Sequence, residues 1–121
     1  MSRILVVDDS FSHRQMITDL LRKSGLNVTV ASDGLEALES FDKDKPDIVV
    51  LDLVMPRMNG YEVCRWIKSD PKNKNVAVVI CSSKSEEFDR YWAMKQGADA
   101  YISKPFQAVE LLGTIKQLLR G

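Results

Sequence analysis

Residues 48–52 read Ile48-Val49-Val50-Leu51-Asp52: four apolar side chains in succession, three of them β-branched, and then a carboxylate. A run this short and this uniform fits a strand covered on both faces, as in a parallel sheet. The same pattern opens the chain, where Ile4-Leu5-Val6-Val7 leads into Asp8-Asp9. Val28-Thr29-Val30, Val76-Ala77-Val78-Val79-Ile80 and Ala100-Tyr101-Ile102 complete a set of five short runs. Between them lie stripes with helical spacing. Met16, Ile17, Leu20 and Leu21 make the first; Leu35, Leu38 and Phe41 the second; Val63, Trp66 and Ile67 the third. Phe88, Tyr91 and Trp92 make the fourth, and Leu111, Leu112, Ile115, Leu118 and Leu119 the fifth. Asp33, Asn59 and Ser83 each stand three residues before a glutamate (Glu36, Glu62, Glu86), the spacing of a helix start. Gly25 and Gly97 stand just past expected helix ends. The order is strand–helix five times, which predicts an α/β domain: a doubly wound parallel sheet with helices on both faces, joined by right-handed crossovers.

In such sheets ligands bind beyond the carboxyl ends of the strands, where strand order reverses. The residues expected there are Asp8 and Asp9 after the first strand, Asp52 after the third, Ser82 and Ser83 after the fourth, and Lys104 after the fifth. A single aspartate at a strand end is ordinarily a turn or cap residue, and Asp9 or Ser10 has that role open to it. Acids, hydroxyl and ammonium at four strand ends of one edge ask for a joint explanation. Three carboxylates brought together resist ionising unless a cation intervenes. An all-oxygen set suits Mg²⁺, with Mn²⁺ an alternative. Asp52 ends the central apolar strand and is the candidate nucleophile, since carboxylates accept phosphoryl groups as aspartyl phosphates. Lys104 would neutralise phosphoryl oxygens and Ser82 would donate to one.

Composition narrows the remaining classes. The chain has 121 residues, 45% of them hydrophobic, which suits one domain with one sizeable core. Seventeen basic residues balance 17 acidic ones, so no basic excess points to nucleic acid or to an anionic membrane. Cys64 and Cys81, both in apolar context, are expected to be reduced core residues. The longest apolar run, Val76–Cys81, is far short of the roughly 20 residues of a membrane span, and Ile4–Val7 is too short for a signal-peptide core. A cytoplasmic protein is the expectation, without membrane insertion. DNA binding is further disfavoured because the sequence stops at Gly121, directly after the fifth helix. His13 is the single histidine, expected as a solvated first-helix residue near the pocket.

Asp8-Asp9, Asp52 followed by Met55-Pro56 and Asn59-Gly60, Ser82, and Lys104-Pro105-Phe106 together resemble the receiver domain of two-component response regulators. The resemblance runs from Arg3 to about Leu119 without an insertion, and its five separated elements occur in the family's order and spacing. It implies a flavodoxin-like (CheY-like) fold with strand order 2-1-3-4-5, a receiver domain over residues 1–121 and no effector domain. Carried over position by position, it implies that Asp52 is the phosphoacceptor and Asp9 a direct Mg²⁺ ligand. Asp8 would act on the metal largely through water, and Val54 would offer its backbone carbonyl. Lys104 matches the lysine that pairs with the phosphoryl group. Ser82 matches the hydroxyl switch and Tyr101 the aromatic switch, which would fill space vacated as Ser82 swings inward. A cis bond before Pro105 is implied as well. The altered output surface would span the fourth helix, fifth strand and fifth helix, with Arg90, Tyr91, Met94 and Tyr101 as its expected contact residues.

Val54 and Lys84 occupy the two positions that vary within the family and tune phosphate lifetime. Val54 brings no group to orient an attacking water, so self-dephosphorylation is expected to be slow to moderate. Tyr91 and Trp92 are adjacent and bulky. One is expected to pack inward and the other to belong to a partner surface. The run from Asp89 to Ala98 looks more like the PilH-type twitching-motility and phototaxis regulators than the flagellar kind. The function implied is a phosphorelay switch: a histidine kinase as phosphodonor, a target such as a motor component, and control of motility. A phosphate sink for a sister regulator is the alternative. The protein would not be an enzyme beyond its own phosphorylation and dephosphorylation. An aspartyl-phosphate phosphatase would want a second carboxylate at position 54, where Val54 stands. A flavin carrier would not place Asp8-Asp9 against a phosphate.

Overall fold

The computed structural model describes residues 2–120, so Met1 and Gly121, the ends of the expected 1–121 domain, lie outside the described residues. Its elements follow the expected order: β1 (Arg3–Val7), α1 (Phe11–Lys23), β2 (Asn27–Ala31), α2 (Gly34–Asp44) and β3 (Ile48–Leu51). There follow α3 (Gly60–Ser69), a 3₁₀ turn (Pro71–Asn73), β4 (Ala77–Ser82), α4 (Glu87–Lys95), β5 (Ala100–Ser103) and α5 (Ala108–Arg120). All four strand pairings are parallel and the sheet order is β2-β1-β3-β4-β5. The chain winds out in one direction from β1 to β2 and in the other from β3 to β5, so strand order reverses between β1 and β3.

Alternation along the strands divides the core in two. Leu5, Val7, Val49, Leu51, Val78, Ile80 and Tyr101 face α2, α3 and α4 through Ala37, Phe41, Val63, Cys64, Ile67 and Ala93. Ile4, Val6, Ile48, Val50, Val79, Cys81 and Ile102 face α1 and α5 through Ile17, Leu21, Leu111 and Ile115. The consecutive apolar runs are therefore explained: every strand residue from Ile48 to Leu51 is buried, each against the helix layer on its own side. Both cysteines are buried and free. Among the described residues no helix is long and apolar enough to cross a membrane.

Caps agree with the sequence at two of three sites. Asn59 and Glu62 form a reciprocal capping box on α3, and Asp33 accepts the Glu36 N–H on α2. Glu36 itself turns back to the N–H and hydroxyl of Ser32. The expected start at Ser83 is not used: α4 begins at Glu87, capped without a side-chain bond by Glu86. Gly25 and Gly97 take positive φ (84° and 105°) after α1 and α4.

The fourth stripe is corrected by the structure. Phe88, Tyr91 and Trp92 are all exposed, so neither Tyr91 nor Trp92 packs inward. The buried face of α4 carries Asp89 and Ala93 instead. Asp89 sits against α3, where its carbonyl accepts the Tyr61 hydroxyl at 3.3 Å, and Arg90 lies 4.9 Å over the Tyr101 ring. These contacts set the helix's rotation and turn the aromatics outward, with Phe88 stacked on Trp92. Smaller phase errors of the same kind leave Met16 and Leu35 exposed while Thr18 and Ala37 are buried.

Candidate functional site

Each expected site residue stands where its strand runs out. Asp8 follows β1, Asp52 follows β3, Ser82 ends β4, and Lys104 follows β5. Backbone bonds fix their heights: Asp8 donates its N–H to Ala31 O, Asp52 to Val7 O, and Lys104 to Ser82 O. These bonds tie the carboxyl ends of β2, β1 and β3 to one another, and the end of β5 to that of β4. The structure brings Asp8, Asp9 and Asp52 together, one carboxylate oxygen of each lying within 4.8 Å of the others. Asp8 is buried, Asp52 half-buried and Asp9 exposed, so the cluster opens to solvent on the Asp9 side.

Lys104 reaches into this cluster across the sheet. Its Nζ donates to Asp8 Oδ2 at 2.7 Å and lies 3.5 Å from Asp52 Oδ2. Burial works against the ammonium, but the bond it donates to Asp8 and the charges of Asp52 and Asp8 outweigh it and raise its pKa. Lys104 therefore stays charged at neutral pH. The Lys104–Pro105 bond is cis, as the resemblance implied.

Three carboxylates against one ammonium leave the cluster short of positive charge, and the donor set is oxygen throughout. That fits a hard divalent cation such as Mg²⁺, which keeps several of its own waters and accepts a few carboxylates. Asp8, Asp9 and Asp52 would hold it. Val54, the expected carbonyl ligand, is exposed, and its N–H donates to Asp52 Oδ1 at 3.4 Å.

The loops around the cluster are held by their own contacts. Ser10 caps α1 by accepting the His13 N–H, and its own N–H donates to Asp8 Oδ1. Arg14 donates to the Asp8 carbonyl at 2.7 Å. Gly60 opens α3 directly against the strand end, where a Cβ would strike the Asp52 carbonyl oxygen and come within 2.8 Å of Leu53 Cα. In the loop from β3, Met58 donates to Pro56 O around Arg57, whose φ is +69°. That is the strained form of a γ-turn. The Arg57 guanidinium pairs with Asp33 at the mouth of the neighbouring loop. The backbone N–H of Glu36, then Arg57, hold the Asp33 carboxyl below its ordinary pKa.

At the fourth strand, the Ser82 hydroxyl accepts the Lys84 N–H at 3.3 Å. Tyr101 is buried already: its hydroxyl donates to the Lys84 carbonyl and Arg90 covers its ring. Burial first, then the charge of Asp89, pushes the Tyr101 phenol up to about 12. Of the four expected output residues, Arg90, Tyr91 and Met94 are exposed on α4, while Tyr101 lies beneath them. One contact has no counterpart in the sequence reading: His13 Nδ1 lies 3.0 Å from Lys104 Nζ.

Comparison with known proteins agrees with this geometry. Residues 4–116 match the family model described as "Response regulator receiver domain". The chain is 37% identical over 121 residues to the protein PilH of Pseudomonas aeruginosa, covering both chains fully. It is 41% identical over 118 residues to the DNA-binding response regulator MtrA of Mycobacterium tuberculosis, matching 98% of this chain but about half of that one. Among solved structures, the chemotaxis protein CheY4 of Vibrio cholerae superposes with a TM-score of 0.91 at 30% identity, covering 98% of each chain. A five-stranded sheet in the order 2-1-3-4-5, an acidic cluster at its switch point and a family match over nearly the whole chain have one common explanation: the chain belongs to the response regulator receiver domains, the CheY-like signalling proteins of two-component systems.

Proposed function

We propose that Asp52 accepts a phosphoryl group from the phosphohistidine of a histidine kinase and that the charge gained there resets the surface of α4. The observation that carries this is the position of Asp52: a half-buried carboxylate at the end of the central strand, between an acidic pair and a fixed ammonium. In the transfer, the P–N bond of the donor imidazole breaks, its electron pair leaves with the ring, and an Asp52 Oδ–P bond forms. A bound Mg²⁺ (or Mn²⁺) supplies neutralisation of phosphoryl charge, the principal demand of this chemistry. Lys104 supplies a second positive charge from the β5 side. Ser82 turns from the Lys84 N–H to donate its hydroxyl to a phosphoryl oxygen. That frees the loop between β4 and α4, and with it the Lys84 carbonyl on which Tyr101 is anchored.

The output is read by a protein partner on the exposed face of α4, where Arg90, Tyr91 and Met94 stand. Similarity to PilH over the full length, and in fold to a chemotaxis protein, supports control of motility, through a motor component or as a phosphate sink for a sister regulator. The test is phosphotransfer profiling against the histidine kinases of the source organism, with Asp52→Asn as control. Label is expected on the wild-type chain and absent from Asp52→Asn, and label retained by that variant would refute the assignment. A beryllofluoride adduct is expected to shift NMR signals of Ser82, Lys84 and α4. An unaltered α4 would refute the surface switch.

A further inference from the structure

Lys104 ends in an ammonium, which has three hydrogens to donate and no lone pair to accept with. Two of its partners are the carboxylates already described, Asp8 at 2.7 Å and Asp52 at 3.5 Å. The third, His13 Nδ1 at 3.0 Å, is closer than Asp52. Since the ammonium can only donate, Nδ1 accepts, and the imidazole proton sits on Nε2. Good N–H···O bonds span about 2.7–3.2 Å, so the contacts to Asp8 and His13 are full bonds and the one to Asp52 is not. From this we infer that His13 is a positioning residue for phosphoryl acceptance: with Asp8 it holds the Lys104 ammonium back from Asp52, so that Asp52 Oδ2 has only a long contact with it. This rests on the reading of Asp52 as phosphoacceptor.

Local structure makes the placement firm. Ser10 caps α1 through the His13 backbone N–H, which fixes His13 in the first turn, and Arg14 in the same turn clamps the Asp8 carbonyl. His13 and Lys104 line one cavity whose remaining walls are Met16, Ser83, Pro105 and Phe106. Three of those four are apolar, so the histidine supplies the ring acceptor on a side otherwise mostly hydrocarbon. Without it the ammonium loses the side-chain acceptor that draws it toward α1 and is expected to close on Asp52 from its present 3.5 Å. A carboxylate in a tight ion pair is a poorer nucleophile.

The test pairs two variants. His13→Leu removes the acceptor, while His13→Asn restores an acceptor oxygen near the position of Nδ1. His13 is exposed, so neither is expected to unfold the chain. With acetyl phosphate and Mg²⁺, attack forms the Asp52 Oδ–P bond as the P–O bond breaks and acetate leaves with the electron pair. The rate is expected to fall about tenfold in His13→Leu and to recover most of that loss in His13→Asn. The second readout needs neither metal nor phosphate: the side-chain ammonium signal of Lys104 in proton–nitrogen NMR spectra of the metal-free protein. A slowly exchanging signal is expected in wild type and His13→Asn, displaced or lost in His13→Leu. Equal rates in all three chains, or an ammonium signal unmoved by His13→Leu, would overturn the inference. Failure of the wild type to label at Asp52 would instead count against the phosphoacceptor reading, and the ammonium spectrum would still decide the contact.

Discussion

Lys104 is the residue on which the site's electrostatics turn, because its side chain and that of Asp8 are both nearly inaccessible at 8% and 2% exposure. Removing one member of a buried ion pair leaves the other charged and without compensation, which costs more than the pair itself contributes. Lys104→Met is therefore expected to destabilise the metal-free protein by on the order of 3 kcal/mol, read from urea unfolding. Adding Asp8→Asn should recover much of that loss, a coupling that a double-mutant cycle measures directly. This cluster was legible in the sequence because each member follows a recognisable strand run: Asp8 after Ile4–Val7, Asp52 after Ile48–Leu51, Lys104 after Tyr101-Ile102. His13 was not legible as a partner of Lys104. Its approach depends on how α1 rotates about the Ser10 cap, and a pattern of apolar residues fixes that rotation only to within a side chain.

At the level of elements, the strands were readable and the helix faces less so. A buried parallel strand is apolar at every position, so the Val49 and Val50 runs leave little ambiguity. A helix needs only a stripe, and large apolar residues can lie outside it. In α4 the inward positions are Asp89 and Ala93, one charged and one small, while Phe88, Tyr91 and Trp92 point to solvent. No hydrophobic periodicity reveals that face; the hydroxyl of Tyr61 and the guanidinium of Arg90 determine it. The close seat of α3 on β3 is a second tertiary effect. Because Gly60 stacks on the Asp52 carbonyl, Gly60→Ala is expected to push the helix start outward and cost about 1–3 kcal/mol, measured by urea unfolding. It should also slow labelling by acetyl phosphate, since Asp52 takes its bearing from that backbone.

For the molecule as a whole, the balanced charge conceals an uneven distribution, with three carboxylates gathered at one end of the sheet. Its core also holds ionisable groups in their neutral forms. Burial pushes the Cys64 thiol up to about 11 and the Cys81 thiol up to about 12, and the Tyr101 phenol is raised similarly. The unfolded chain releases these protons near pH 8.5 for thiols and about 10 for phenols, so the native state binds more protons across that interval. Stability is then full below about pH 8 and falls as pH rises toward 11 or 12, by up to about 1.4 kcal/mol per pH unit for each group ionised only when unfolded. Urea midpoints at about pH 8 and about pH 10.5 should show the decline, and the double variant Cys64→Ser with Cys81→Ser should lessen it. The stacked pair on α4 has an optical consequence. The two tryptophans both stand on helices: Trp66 edge-on to Phe41 between α2 and α3, Trp92 half-exposed on Phe88. A Trp66→Phe chain carries one tryptophan, fixed to the helix that the proposed switch moves and excited apart from the tyrosines at the red edge of absorption. Its fluorescence should be quenched by iodide and change on adding beryllofluoride, with no change in the Asp52→Asn background, so that α4 reports in light what happens to Asp52.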